Sequence, residues 1–214
     1  PAASYGLNVI GLMEVTVKGG TFGDRSKDAK ANSAAAVSGY GNNRATVKIG
    51  GGTFYGATAD VFSVFDGVDI TFGTVGAANS EITMDCLDQA GLSVQETLNQ
   101  GWPSATVKIC SGTYKAVTSA IYYGNSNVTL EISGTPVIDG QGGTGLHFAV
   151  VPGASKVQIS GGTFYGTSVE HTASNLIGTR EQKYYTNGAI GAPCSVDWSW
   201  VQRFEWSGVG AEIT

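Results

Sequence analysis

Charge is scarce in this sequence. Of its 214 residues, 14% are charged, and 12 Lys and Arg stand against 17 Asp and Glu, a formal net charge of −5. The basic residues form no run. Neutralising a phosphate backbone takes clustered Lys and Arg, so nucleic acid is not an expected partner. Little charge together with 42% apolar residues also excludes a charge-rich disordered segment. Long apolar stretches are missing too. None reaches the ~18 residues of a membrane-spanning helix, so no membrane span is expected. Cysteine is confined to Cys86, Cys110 and Cys194. None stands close enough to another to read as a metal motif, and one disulfide plus a free thiol is compatible with three, with no pairing indicated. There is no P-loop, no dinucleotide-type glycine motif in a strand–helix context and no Ser-His-Asp order. The chain opens at Pro1 with no basic or apolar leader, which reads as a mature or trimmed product, extracellular or at the cell surface.

Glycine, by contrast, is abundant: 32 of 214 residues, about twice the usual share of roughly 7%. It belongs to a repeat. "VKIGGGTFYG" at 47–56 returns as "VQISGGTFYG" at 157–166, with blurred copies "VKICSGTYKA" at 107–116 and "VTVKGGTFGD" at 15–24. The marker threonines of these copies, Thr21, Thr53, Thr113 and Thr163, are unequally spaced. Weaker copies put Thr74 after Thr53 and Thr135 after Thr113, at closely similar intervals. The shortest unit is therefore read as about 21–22 residues, with longer gaps as insertions into it. Each copy alternates before its glycines: Val47 and Ile49 point one way, Thr46 and Lys48 the other. Period two over β-branched residues reads as a half-buried strand. The glycines read as a corner, because Gly takes positive φ without steric cost. Short strands, Gly corners and a fixed period predict an all-β parallel β-helix, a β-solenoid whose Val, Ile and Phe stack in columns. A β-sandwich of similar hairpins is the rival architecture. Cys110 replaces a repeat glycine and is expected to pack as a small buried residue.

Two segments break the repeat. Ser93 and Glu96 in "SVQETLNQ" form a capping-box pattern, with Val94 and Leu98 on one face and Gly101 and Pro103 as a stop, predicting a short helix near 93–100. "DWSWVQRFEW" aligns Trp198, Trp200, Phe204 and Trp206 on one face of an extended strand, a candidate glycan- or partner-binding surface or an end cap. The whole is read as a single solenoid domain over 1–214, with a subdivision at 83/84 as an alternative and a C-terminal cap or extension over about 175–214.

From Ser93 onward the motifs form a unit: "SVQETLNQ", "ATVKICSGTYKA", "AIYYGNSNVTLEISGTPVIDGQGG" and "GLHFAVVPGASKVQISGGTFYG". This unit resembles the right-handed parallel β-helix proteins of the pectate-lyase-like superfamily, over roughly a third of the chain. The resemblance implies fold more than activity, since that fold hosts polysaccharide lyases, hydrolases and non-enzymatic surface proteins. The hydrolase motifs "NTD", "DD", "GHG" and "RIK" are absent, and His147 in "GLHF" lacks flanking glycines. The lyases use Asp-bound calcium and a basic residue, for which Asp60, Asp66 and Asp69 are the weak candidates here. Asp in such positions is more often a turn residue, and Asp139 in "VIDG" reads that way too.

The resulting expectation is a non-enzymatic secreted or cell-surface β-helix scaffold. It binds protein subunits of an assembly or a polysaccharide and needs no cofactor. The alternative is a polysaccharide lyase or hydrolase with unconventional carboxylates near Asp60–Asp69, calcium included. Asn127-Val128-Thr129 is a glycosylation sequon, though an Asn at a corner explains it more simply. One Thr per rung, stacked, makes a row of the kind ice-binding solenoids carry, but the bulky Phe and Tyr that follow argue against that use.

Overall fold

In a computed structural model of the chain, the described residues are 5–24, 33–95, 102–125, 128–141, 143–149, 157–159, 161–165, 168–171 and 211–213. They fold as layers of three short strands. The first layer is β1 (Tyr5–Ile10), β2 (Glu14–Val17) and β3 (Thr21–Gly23). The second is β4 (Ser33–Ser38), β5 (Ala45–Ile49) and β6 (Gly52–Gly56). The third is β7 (Phe62–Val64), β8 (Val68–Phe72) and β9 (Ile82–Cys86). The fourth is β10 (Ala90–Val94), β11 (Thr106–Ile109) and β12 (Thr113–Ala116). The fifth is β13 (Ser119–Tyr123), β14 (Thr129–Ile132) and β15 (Val137–Asp139). The sixth is β16 (Thr144–Phe148), β17 (Val157–Ile159) and β18 (Thr163–Tyr165), and β19 (Ser168–His171) and β20 (Ala211–Ile213) continue two of the faces. Equivalent strands pair only with the layer above and below, giving a first sheet β1-β4-β7-β10-β13-β16-β19, a second β2-β5-β8-β11-β14-β17-β20 and a third β3-β6-β9-β12-β15-β18. Every one of these pairings is parallel, so the fold is a β-solenoid.

The register corrects the repeat length. Thr21, Thr53, Thr83, Thr113, Val137 and Thr163 stand one above another in the third sheet. A layer is therefore longer than the shortest motif spacing and averages about 28 residues, still within the range of solenoid repeats. Thr74 and Thr135 fall outside the third-sheet strands. They copied the motif's glycine-threonine corner, while the third strand of their own layer begins only at Ile82 and Val137, respectively. The helix expected near 93–100 is also corrected: Ser93 and Val94 end strand β10, and residues 96–100 lie outside the described set. Ser93 does not cap a helix, because register with Ser63 and Tyr122 holds it in a sheet. The one short helical turn among the described residues is Asn79–Glu81. No helix among them is long and apolar enough to cross a membrane. Strand β9 runs across the 83/84 point and is paired on both sides.

Alternation builds the core as expected. Val47, Ile70, Val107, Leu130 and Val157 share one inward column, and Ile49, Phe72, Ile109, Ile132 and Ile159 the next. All ten are buried, each contributing roughly 1.5–3 kcal/mol. Aromatic rings thread the layers: Phe22 stacks on Phe54 at 4.8 Å, and Phe54–Phe62, Phe62–Phe72 and Phe72–Tyr114 meet edge-on at 5.5, 5.1 and 6.1 Å. The first layer shows why the unit must repeat. Leu7, Val15 and Phe22 are only partly buried, whereas their second-layer partners Ala35, Val47 and Phe54 are fully buried.

Candidate functional site

The inward residues of the first sheet are apolar: Phe62 and Val64, Leu92 and Val94, Ile121 and Tyr123, Leu146 and Phe148. Between each pair stands one outward residue, and register aligns these as Ser63, Ser93, Tyr122 and His147 in successive layers. Over this column lies a groove of about 520 Å³, within the roughly 300–1,000 Å³ of small-ligand sites. Four layers line it. Asp60 enters from the corner before β7. Gln89 and Gln95 flank β10, Thr118, Ser119 and Tyr122 come from the fifth layer, and His147 closes the far end.

Asp60 is fixed at both oxygens: the Ala90 N–H donates to Oδ1 at 3.1 Å and Gln95 Nε2 donates to Oδ2 at 2.8 Å. Gln95 Nε2 also donates to Ser93 Oγ at 2.6 Å, which leaves the Gln95 side-chain carbonyl oxygen bonded to no described residue. Tyr122 and His147 rings meet edge-on at 5.3 Å, and His147 Nδ1 lies 3.4 Å from Ser119 Oγ. Tyr122 rests against Gly124, where an added Cβ would come within 2.6 Å of its ring. A side chain at 124 would push the ring off its seat. The Tyr122 hydroxyl bonds to no described residue. The groove therefore offers an aromatic surface on strand β13 and hydrogen-bond acceptors at the ends of strands β7 and β10.

The other two outward faces carry different chemistry. On the second sheet Asp69 meets Arg44 through two side-chain hydrogen bonds, one from Nε at 2.9 Å, and Arg44 Nη1 donates to the Ser104 carbonyl at 2.8 Å. The Arg44 hydrogen bonds, against opposing burial, hold the Asp69 carboxyl below its ordinary range. Lys108 pairs with Glu131 at 2.8 Å. On the third sheet the threonine row is real, with Val137 interrupting it, but the column beside it is Gly23, Tyr55, Asp85, Lys115, Asp139 and Tyr165. That mixture is no uniform hydroxyl face.

Asp60, Asp66 and Asp69 are not brought together. Asp60 faces the groove. Asp66 is buried at the next corner, accepting from Asn125 Nδ2 at 2.7 Å. Asp69 is on the second sheet. Among the described residues no three His, Cys, Asp or Glu are grouped to hold a metal ion. Asp139 behaves as the turn residue expected, its Oδ1 accepting from the Gln141 N–H at 2.9 Å. Cys110 is half-buried rather than buried, because its glycine-equivalent corner position turns it toward solvent, and Cys86 is a buried free thiol. Burial pushes the Cys86 thiol up, away from reactivity. Trp198, Trp200, Phe204, Trp206 and Asn127 lie outside the described residues.

Sequence reasoning missed Gln95, Tyr122 and His147 as a set. The signal was present: "LSV", "IYY" and "LHF" are apolar–x–apolar triplets opening successive layers. Comparison with known proteins adds no relative: no family, no curated protein and no solved structure matches this chain.

Proposed function

We propose that the protein is a non-enzymatic β-solenoid scaffold, displayed outside the cell, that holds a glycan in the first-sheet groove. The observation that carries this reading is the pairing of a seated aromatic ring, Tyr122, with fixed acceptors at Asp60 and Gln95 in one groove spanning four layers. Sugar rings stack on aromatic faces through their C–H surfaces and bond through their hydroxyls, and such sites need little else. The rung motifs favour kinship with the pectate-lyase-like superfamily, as a non-catalytic member.

A second reading, polysaccharide cleavage, draws on Asp85, Lys115 and Asp139. These stack in successive layers of the third sheet as carboxylate, amine and carboxylate, residue types that serve acid–base chemistry on sugars.

One experiment separates the readings: electrophoresis of the protein through gels containing soluble polysaccharides, with each polymer also checked for new reducing ends and unsaturated product. Retarded migration without product, lost in Tyr122→Ala at unchanged melting temperature, is the expected result. Retardation by no polymer tested overturns the proposal. Product formation abolished by Lys115→Met establishes the second reading in its place.

A further inference from the structure

We infer that the groove selects neutral, hydroxyl-rich glycans laid along the solenoid axis and rejects uronic-acid polymers. This rests on the groove being the glycan site, and it deepens that reading by fixing the ligand's charge.

The first argument is charge. Asp60 brings a carboxylate to the lining, and neither Lys nor Arg is among the described lining residues. The arginine and lysine pairs described above lie on the second sheet, on a different face. A uronate entering the groove would approach a fixed like charge and lose its water with no described Lys or Arg to pair with it.

The second argument is the balance of donors and acceptors. Each Asp60 oxygen accepts one hydrogen bond from the protein and keeps further lone pairs. No described residue donates to the Gln95 side-chain carbonyl oxygen, because its amide nitrogen does the local bonding to Asp60 and Ser93. The Tyr122 hydroxyl either donates or accepts. A sugar hydroxyl donates to such a set. An ionised carboxylate only accepts, and beside Asp60 and the Gln95 carbonyl it would leave acceptors facing acceptors, an arrangement that costs affinity on both sides.

The third argument is geometry. From Asp60 in the third layer to His147 in the sixth is three layer steps of about 4.8 Å each. The groove is therefore longer than one sugar ring and runs along the stack, with Ser93, Tyr122 and His147 in register beneath it. A linear chain lying along the axis meets one layer after another.

The test is calorimetric titration of the whole chain, at pH 7.5 and low salt, with β-1,4-linked gluco- and xylo-oligosaccharides and with oligogalacturonates of matched length. The expected result is binding of a neutral series with at least roughly tenfold preference over the uronates, about 1.4 kcal/mol. Asp60→Asn should narrow that preference several-fold by admitting the uronates. Tyr122→Phe, which keeps the ring and removes the hydroxyl, should weaken the neutral series while leaving the melting temperature in place. Oligogalacturonates binding as tightly as the neutral series, or an Asp60→Asn variant with undiminished preference and unchanged fold, overturns the inference while leaving a glycan site. Binding of neither class to a folded protein overturns the glycan reading itself.

Discussion

The glycine immediately before each marker threonine decides the corner between the second and third sheets. Gly20, Gly52, Gly112 and Gly162 all adopt positive φ, from +100° to +130°. At Gly52 an added Cβ would also lie 3.2 Å from the Gly20 carbonyl oxygen and 3.2 Å from the Phe54 ring. Gly52→Ala should therefore lower stability by about 1–3 kcal/mol, the usual cost of a side chain held in a left-handed conformation. Gly50, two positions earlier, has no such φ and meets nothing nearer than 3.6 Å, so Gly50→Ala should stay within about 0.5 kcal/mol of wild type. Urea unfolding of the two variants reads both numbers, and equal effects would remove the corner argument. This feature was legible in the sequence, because φ preference is a property of one residue and its neighbours. The exposure of Cys110 was not, since it depends on which way the corner faces.

Between elements, the second sheet is stitched by Arg44. From the loop before β5 it reaches Asp69 in the third layer and the Ser104 carbonyl ahead of the fourth-layer strand β11. Both partners of the ion pair are about a third or more exposed, so screening limits it and Asp69→Asn should cost only about 0.5–1 kcal/mol at pH 7. The pH dependence has a definite sign. The folded Asp69 carboxyl, held by the Arg44 hydrogen bonds, titrates below the ordinary value of about 3.9. Its contribution is thus fully present above that value and is lost as pH falls through the lower folded pKa. The stability difference between wild type and Asp69→Asn should close in strong acid and be widest near neutrality. A difference constant with pH in denaturant titrations would show that the ion pair is not its source. Nothing in "NNRATVK" or "GVDITF" announced this pair, because 25 residues of chain separate Arg44 from Asp69. Only register brings them together.

Across the whole molecule one apolar core joins every described layer, and two phenols sit inside it. Tyr114 donates its hydroxyl to the Ser111 carbonyl at 3.0 Å and Tyr123 to that of Val128 at 2.7 Å. Burial raises both well above the ordinary tyrosine value of about 10. A raised folded pKa favours the neutral phenol, so the stabilisation is complete below about pH 10 and disappears as pH climbs toward the folded value. Alkaline titration should show a late stage of phenolate absorbance, in which Tyr114 and Tyr123 ionise only together with loss of the β-sheet circular dichroism. A single smooth phenolate transition, complete before the sheet signal falls, would contradict one cooperative core.

The sequence by itself determined the strands of the repeated motif, their glycine corners and which of their side chains point inward. Alternation and glycine conformation act over two or three neighbouring positions and need no partner. It therefore announced a solenoid and the inward columns of Val, Ile and Phe. Tertiary structure decided the layer length and the site. Loops of unequal length separate the strands, so a repeat counted along the chain mistook two corners for layers. Which outward residues meet is set by parallel hydrogen bonding between strands a full layer apart in the chain. Asp60, Gln95, Tyr122 and His147 became one groove only when that register closed, and Asp60, Asp66 and Asp69, neighbours in sequence, were sent to three different places.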